Sequence, residues 1–350
     1  MSQHDFDLAT LNAYLSEHCP QVGTITETEK FSGGQSNPTF LLTSEVGQFV
    51  LRRQPPGKLL KSAHAVDREF RVIRALADSD VPVPKVYHLC EDPDVIGSMF
   101  YVMAYVKGNI YWNSALPEID SNETRRAMYR EMNRVLAALH SVDIDAAGLS
   151  DYGKPGNYFA RQLSRWTQQY RASELEHIEE IETLITYLEE NQPEDDGQVS
   201  LVHGDFRLDN MIFDNPSDGE ARVTAVLDWE LSTLGHPYAD LAYQCMQLRL
   251  PSKLAHAAGL GGLDRDALGI PSEREYVQEY CERRGIGNIG NWIFYLAFSF
   301  FRLAAILQGV VKRAHDGNAS SDKAMQLGKM VRPLAQLATS LIHEEQSKGA

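Results

Sequence analysis

The sequence predicts an α+β chain in two lobes, a small antiparallel-sheet N-lobe and a larger, mainly helical C-lobe. Three observations carry that prediction. Short β-like runs crowd into the first hundred positions, and beyond them apolar residues recur at helical spacing. Lys107-Gly108 marks the change, which puts residues 1–106 in one lobe and 107–350 in the other. The chain has 350 residues, more than the roughly 250–300 at which single cores stop growing.

The elements follow in order. Asp5 to His18 carries Phe6, Leu8, Leu11 and Leu15 at helical spacing behind an Asp cap. Ile25–Phe31, Thr39–Thr43 and Gln48–Arg52 read as strands. A turn of Gly and small polar residues, Ser32 to Asn37, separates the first two, and Glu45-Val46-Gly47 is a hairpin connection between the others. Ala63–Leu76 reads as a helix, and Val86–Cys90 and Met99–Val106 as two more strands. In the helical region, Thr124–Ser141, Asn157–Tyr170, Glu174–Glu190, Ala239–Leu248, Ser272–Arg283, Trp292–Arg313 and Ser321–Glu345 show the helical period. Two β-like runs interrupt them, Val199–His203 and Arg222–Leu227. The Gly- and Ala-rich loop Arg249–Pro271 is expected to be mobile.

Composition excludes several classes. A formal net charge of −15 leaves no excess of Lys and Arg for neutralising phosphates, against a nucleic-acid partner. Cys19, Cys90, Cys245 and Cys281 form no C-x-x-C pair, so neither a zinc site nor a disulfide framework is indicated. The start of the chain is polar and acidic rather than signal-like, and a cytoplasmic location is expected. Trp292 to Val311 is about long enough to span a bilayer. Arg302 at its centre argues instead for a core helix and no membrane.

The chemistry concentrates in Leu201-Val202-His203-Gly204-Asp205-Phe206-Arg207-Leu208-Asp209-Asn210. An apolar strand runs into His-Gly-Asp, and Asn210 stands five residues after Asp205. A second apolar strand ends at Asp228. Phosphoryl transfer needs a group to accept the hydroxyl proton and hard oxygen ligands for a metal that neutralises the triphosphate. Asp205 suits the base, and Asn210 and Asp228 suit Mg2+. His203 reads as a brace for the loop, and Trp229 as packing.

This arrangement resembles the protein-kinase catalytic loop and its later metal-binding Asp. The His-Gly-Asp and Asp-Trp-Glu spellings are similar to those of the aminoglycoside-phosphotransferase-like kinases over nearly the whole chain. Within them the chain most resembles the kinase domain linked to acyl-CoA dehydrogenases, on segments such as FSGGQSNPTFLL, VLRRQPPG, VHGDFRLDN and VLDWELSTLGHPYADLAY. The resemblance implies a bilobal protein-kinase-like fold and the use of ATP with Mg2+. It implies that Ser32, Gly33, Gly34, Ser36 and Asn37 belong to a phosphate-covering loop. It implies that Arg52, standing where kinases carry a lysine, pairs with the nucleotide phosphates and with Glu69. Arg53 then faces the other side of its strand. Tyr105 and Val106 are implied as the adenine-binding hinge, with Met103 behind it, and Asp240 as a tie between the catalytic loop and the helical lobe.

The expected acceptor is a small-molecule hydroxyl. The resemblance suggests a hydroxyacyl-CoA and a functional link to an acyl-CoA dehydrogenase. Aminoglycosides, which the acidic balance favours, and choline-like alcohols are alternatives. A nucleotide-binding pseudokinase is a reading of another class, although Asp205, Asn210 and Asp228 are all present. No segment after Asp228 resembles a protein-kinase activation loop. Arg302 and Gln308 are polar positions on an apolar helix; a buried Arg needs a partner, for which a protein carboxylate is expected and an anionic substrate group is the alternative.

Overall fold

The computed structural model describes residues 6–31, 37–55, 64–253, 258–316 and 327–349. They fall into two compact units. The first comprises Met1–Trp112, Glu118–Ser150 and Leu208–Ser232, and the second Asn113–Pro117, Asp151–Arg207 and Thr233–Ala350.

The first unit begins with α1 (Leu8–His18), capped by Asp7, whose carboxylate accepts the Thr10 N–H at 2.8 Å. Five strands follow: β1 (Ile25–Lys30), β2 (Thr39–Ser44), β3 (Gly47–Arg53), β4 (Val86–Cys90) and β5 (Phe100–Ala104). They form one antiparallel sheet in the order β1-β2-β3-β5-β4. The β2–β3 hairpin closes over Glu45-Val46, with Ser44 opposite Gly47. Phe6, Leu11 and Leu15 of the N-terminal segment meet Phe40, Leu42, Leu51, Phe100 and Val102 in one buried cluster. Helix α2 (Val66–Ala75) buries Val66, Glu69, Val72 and Ile73 and packs on β4 and β5. The period-two alternation of β3 sends Arg52 and Arg53 to opposite faces. Arg53 is buried, with its Nε donating to Ser98 Oγ at 2.9 Å, whereas Arg52 turns toward α2.

Two further elements complete this unit. Helix α3 (Asn122–His140), capped by Ser121, contacts β8 of a short hairpin made of β7 (Met211–Phe213) and β8 (Val223–Val226). The hairpin is held against the segment that leaves β5. Asn109 and Phe213 exchange backbone hydrogen bonds at 2.8 and 2.9 Å. A Cβ on Gly108 would lie 2.2 Å from the Phe213 carbonyl oxygen, so only glycine fits there.

The second unit is built around α8 (Trp292–His315), packed by α4 (Tyr158–Ser173), α5 (Glu179–Glu190), α6 (Tyr238–Arg249) and α9 (Val331–Gly349). Helix α7 (Glu273–Arg284) starts with a capping box of Ser272 and Glu275. The apolar stretch expected to be a core helix is one: Phe294, Leu296, Phe298, Phe300 and Phe301 are buried. By length and composition alone α8 could also cross a membrane.

Several expectations shift. The segment from Glu174 to Ile178 is not helical. Gln308 donates its amide to the Ser173 carbonyl at 2.9 Å, taking that carbonyl out of the helical ladder, and Glu174 is extended. The C-terminal helix starts at Val331, with 321–326 outside the described residues. Strand β9 (Thr233–Gly235), which pairs with β6 (Ser200–Val202), was not foreseen, nor was β7. In the Arg249–Pro271 loop, Leu260 and Gly261 bond back to Leu248 and Leu250 at 2.8 and 2.9 Å, and Leu260 is buried.

Candidate active site

In the first unit a cavity of about 380 Å³ opens beside the sheet. Val50, Met103, Ile212 and Val226 supply apolar walls, Tyr105 and Val106 line it where the chain leaves β5, and Arg52, Asn210 and Asp228 bring polar atoms. Such a mix of apolar walls and a few convergent polar groups is typical of a small-ligand site.

Arg52 is the centre of its polar end. Its Nε lies 2.7 Å from Glu69 Oε2, and its Nη2 lies 2.7 Å from Asp228 Oδ1 and 3.9 Å from Glu230. Glu69 is almost fully buried and also accepts from Asn37 Nδ2 at 2.8 Å and from the Tyr101 hydroxyl at 3.1 Å. Burial pushes the Glu69 carboxyl up to about 7, against the opposing pull of Arg52. The Arg52 guanidinium also loses hydration, but its carboxylate neighbours more than offset that and hold it cationic. Asp228 has φ 64° and ψ 59°, left-handed for a non-glycine residue. Such a conformation costs roughly 1–2 kcal/mol, and it persists because β8 and the turn after it are fixed. The Leu227 N–H donates to the Asn210 carbonyl at 2.8 Å, and Trp229 Nε1 donates to the Val226 carbonyl at 3.0 Å.

Arg52, Met103, Tyr105, Val106, Asn210 and Asp228 thus share one cavity lining. Glu69 reaches it through Arg52, and the Asn37 side chain is committed to Glu69 and to His64, at 3.0 Å. Ser32, Gly33, Gly34 and Ser36 lie outside the described residues.

In the second unit the turn after β6 carries Asp205. Gly204 takes φ 85°, which glycine adopts without penalty. Asp240, buried on α6, accepts the backbone N–H groups of His203 and Gly204 at 2.6 and 2.8 Å. His203 is fully buried, and its Nδ1 faces the Asp205 N–H at 3.2 Å, the bracing role expected of it. The Asp205 carboxylate accepts from the Tyr243 hydroxyl at 2.8 Å and lies 3.4 Å from Arg207 Nε.

Arg302 departs from expectation. Among the described residues no carboxylate pairs with it. Its Nη2 donates to the Gly204 carbonyl at 2.9 Å, and its guanidinium lies over the rings of Trp166 and Tyr243 at 5.8 and 5.5 Å. A carbonyl and two π faces replace the anion, so the cation braces the turn.

The sequence analysis did not single out Tyr243. The available signal was its spacing from Asp240: residues three apart share a helix face, so a helix that holds the loop backbone through Asp240 presents Tyr243 to the same loop.

Comparison with known proteins agrees with this geometry. Residues 27–276 match the phosphotransferase enzyme family. Mouse acyl-CoA dehydrogenase family member 10 is 50% identical over 91% of this chain but only 29% of its own length. Rat acyl-CoA dehydrogenase family member 11 is 43% identical over 97% of this chain and 44% of its own length. The chain therefore spans less than half of these curated relatives. A solved Ralstonia eutropha protein, provisionally assigned as an aminoglycoside phosphotransferase, is 47% identical with a TM-score of 0.87, over 97% of this chain and 99% of its own. An aminoglycoside phosphotransferase solved with AMP-PNP and hygromycin B shares the fold at a TM-score of 0.61 and 16% identity, over 95% of this chain and 98% of its own. The chain belongs to the phosphotransferase enzyme family, with the two-lobed α+β fold of aminoglycoside kinases.

Proposed function

We propose that the chain moves the γ-phosphoryl group of ATP, with Mg2+, to a hydroxyl of a hydroxyacyl-CoA. In this reading residues 1–106 form the nucleotide-binding lobe, and residues 107–350 carry the catalytic loop and the acceptor region. The observation that carries the reading is the single cavity lining shared by Arg52, Asn210 and Asp228 with an apolar wall of Val50, Met103, Ile212 and Val226.

The residues suit the groups they would hold. Asp228 and Asn210 offer a carboxylate and an amide oxygen, hard donors of the kind Mg2+ takes. When bound, the metal supplies neutralisation of triphosphate charge. Arg52, kept cationic between Glu69 and Asp228, is a fixed donor for phosphate oxygens. The apolar wall excludes water and receives a planar base, with the Tyr105 carbonyl and Val106 N–H as partners for its edge. Asp205 accepts the acceptor's hydroxyl proton on its carboxylate as the hydroxyl oxygen bonds to phosphorus and the bond to ADP breaks.

For the acceptor, two facts support an anionic thioester over a polycationic antibiotic. The mouse and rat relatives are named acyl-CoA dehydrogenase family members. Arg161, Arg165 and Arg302 have no carboxylate partner among the described residues; Arg161 donates to the Lys154 and Pro155 carbonyls, and Arg165 and Arg302 lie over Trp166. A functional link to an acyl-CoA dehydrogenase follows from the same reading.

The test is thermal melting with Mg·ATP, followed by ADP release across hydroxyacyl-CoAs, aminoglycosides and choline-like alcohols. A ligand that binds only the folded state raises the melting temperature. A shift with turnover on hydroxyacyl-CoAs is expected. Turnover on aminoglycosides alone would overturn the acceptor, and no shift at saturating Mg·ATP would overturn the nucleotide site.

A further inference from the structure

Helix α6 does two things to the loop that carries Asp205. Through Asp240 it accepts two backbone N–H groups, at 2.6 and 2.8 Å, and so fixes the course of the chain. One turn later, through Tyr243, it reaches the carboxylate itself at 2.8 Å. A hydroxyl at that distance removes one rotational freedom of the side chain and occupies one carboxylate oxygen. The phenol is a dependable donor: burial, and then the neighbouring Asp205 carboxylate, push its own ionisation well above the ordinary tyrosine range. Arg302 of α8 lies over the Tyr243 ring at 5.5 Å and donates to the Gly204 carbonyl, so ring and loop are clamped by one cation.

We propose that Tyr243 is a positioning residue for phosphoryl transfer, holding one Asp205 carboxylate oxygen so that the other is presented to the acceptor hydroxyl. This rests on reading Asp205 as the base. The charged and titratable groups around Asp205 are Arg207, with Nε at 3.4 Å, His203, whose Nδ1 faces the Asp205 N–H, Arg302 on the Gly204 carbonyl, Asp240 on the loop backbone, and Tyr243 itself. Of these, the Tyr243 hydroxyl can be removed with little change in volume or charge.

The experiment compares wild type, Tyr243→Phe and Asp205→Asn as full chains. It reads the 13C carboxyl titration of Asp205, assigned by its loss in Asp205→Asn, and ADP release from Mg·ATP with 3-hydroxybutyryl-CoA across pH. Loss of a donor to the charged form is expected to move the Tyr243→Phe carboxyl titration, and the acid limb of kcat, upward by about one pH unit. A kcat lower by about tenfold with KM for ATP unchanged should accompany it. 3-Fluorotyrosine at position 243, a stronger donor, should move the acid limb the other way and gives the answer should Tyr243→Phe not fold. An Asp205 titration that stays put in both variants overturns the proposal without reference to any acceptor. If the titration moves but Asp205→Asn still releases ADP at the wild-type rate, the base assignment falls and the hydrogen bond remains only structural.

Discussion

Arg52 and Asp205 are anchored by opposite means. Arg52 lies between two carboxylates, 2.7 Å from each, and one of them, Glu69, is buried and itself bonded to Asn37 and Tyr101. Asp205 has one cation beside it, Arg207 Nε at 3.4 Å, but its closer partner is a phenol at 2.8 Å, and its loop backbone is fixed through Asp240. On the proposed function, the difference follows from what each group is asked to do. A cation that receives phosphates must keep its charge, and full charges on both sides secure it. A base must change charge in every turnover, and a neutral phenol remains a suitable neighbour for both the carboxylate and the acid.

The largest expected effect breaks that comparison at the base. Asp205→Ala should lower turnover by about 10²–10⁴-fold and leave Mg·ATP affinity unchanged in calorimetry; a near-normal rate would remove Asp205 from the mechanism. Asp228→Ala tests the other side. It should weaken Mg·ATP binding by about tenfold or more, whereas an unchanged affinity would count against a metal role. Asp240→Asn should leave a backbone N–H facing an amide NH2 in a buried site. A loss of about 1.5–3 kcal/mol, read as a lower denaturation midpoint, is expected, and an unaltered midpoint would mean the loop does not depend on it. Arg52→Lys gives the smallest change. A lysine makes no fork across Glu69 and Asp228, so nucleotide affinity should fall by a few-fold, and a rise in activity would instead mark Arg52 as a tolerated substitute.

Much of this was legible where the signal is periodic or punctuated. Strands β1 to β5 and helices α1 to α4 announce themselves by spacing, and α1 also by an Asp cap. The alternation along β3 separates Arg52 from Arg53 without any structure. Strands β7 and β9 were not legible because three residues hold no measurable period: Met211-Ile212-Phe213 is apolar throughout, and Thr233-Leu234-Gly235 ends in glycine. A break between α4 and α5 was legible, but its extension from Glu174 to Ile178 was not, because the Gln308 amide that takes the Ser173 carbonyl stands 135 residues away. The same holds for Arg302: local sequence says a buried cation needs a partner, but not that a glycine carbonyl and two rings will serve.

The site residues divide along the same line. His-Gly-Asp and the following Asn are a local pattern, and so is an Asp at a strand end. Tyr243 is visible only once Asp240 is known to face the loop, because the relation between them is a helix face and not a motif.

Trp112 has a consequence of a practical kind. It is 70% exposed yet lines the cavity of the first unit. Of the chain's other tryptophans, Trp229 is buried, and Trp166 and Trp292 are half-buried in the second unit. A ligand entering the cavity would dry the Trp112 indole more than the others, shifting its emission toward the blue. The chain thus carries an intrinsic optical gauge of cavity occupancy, one that needs no acceptor and no turnover and that Trp112→Phe would switch off.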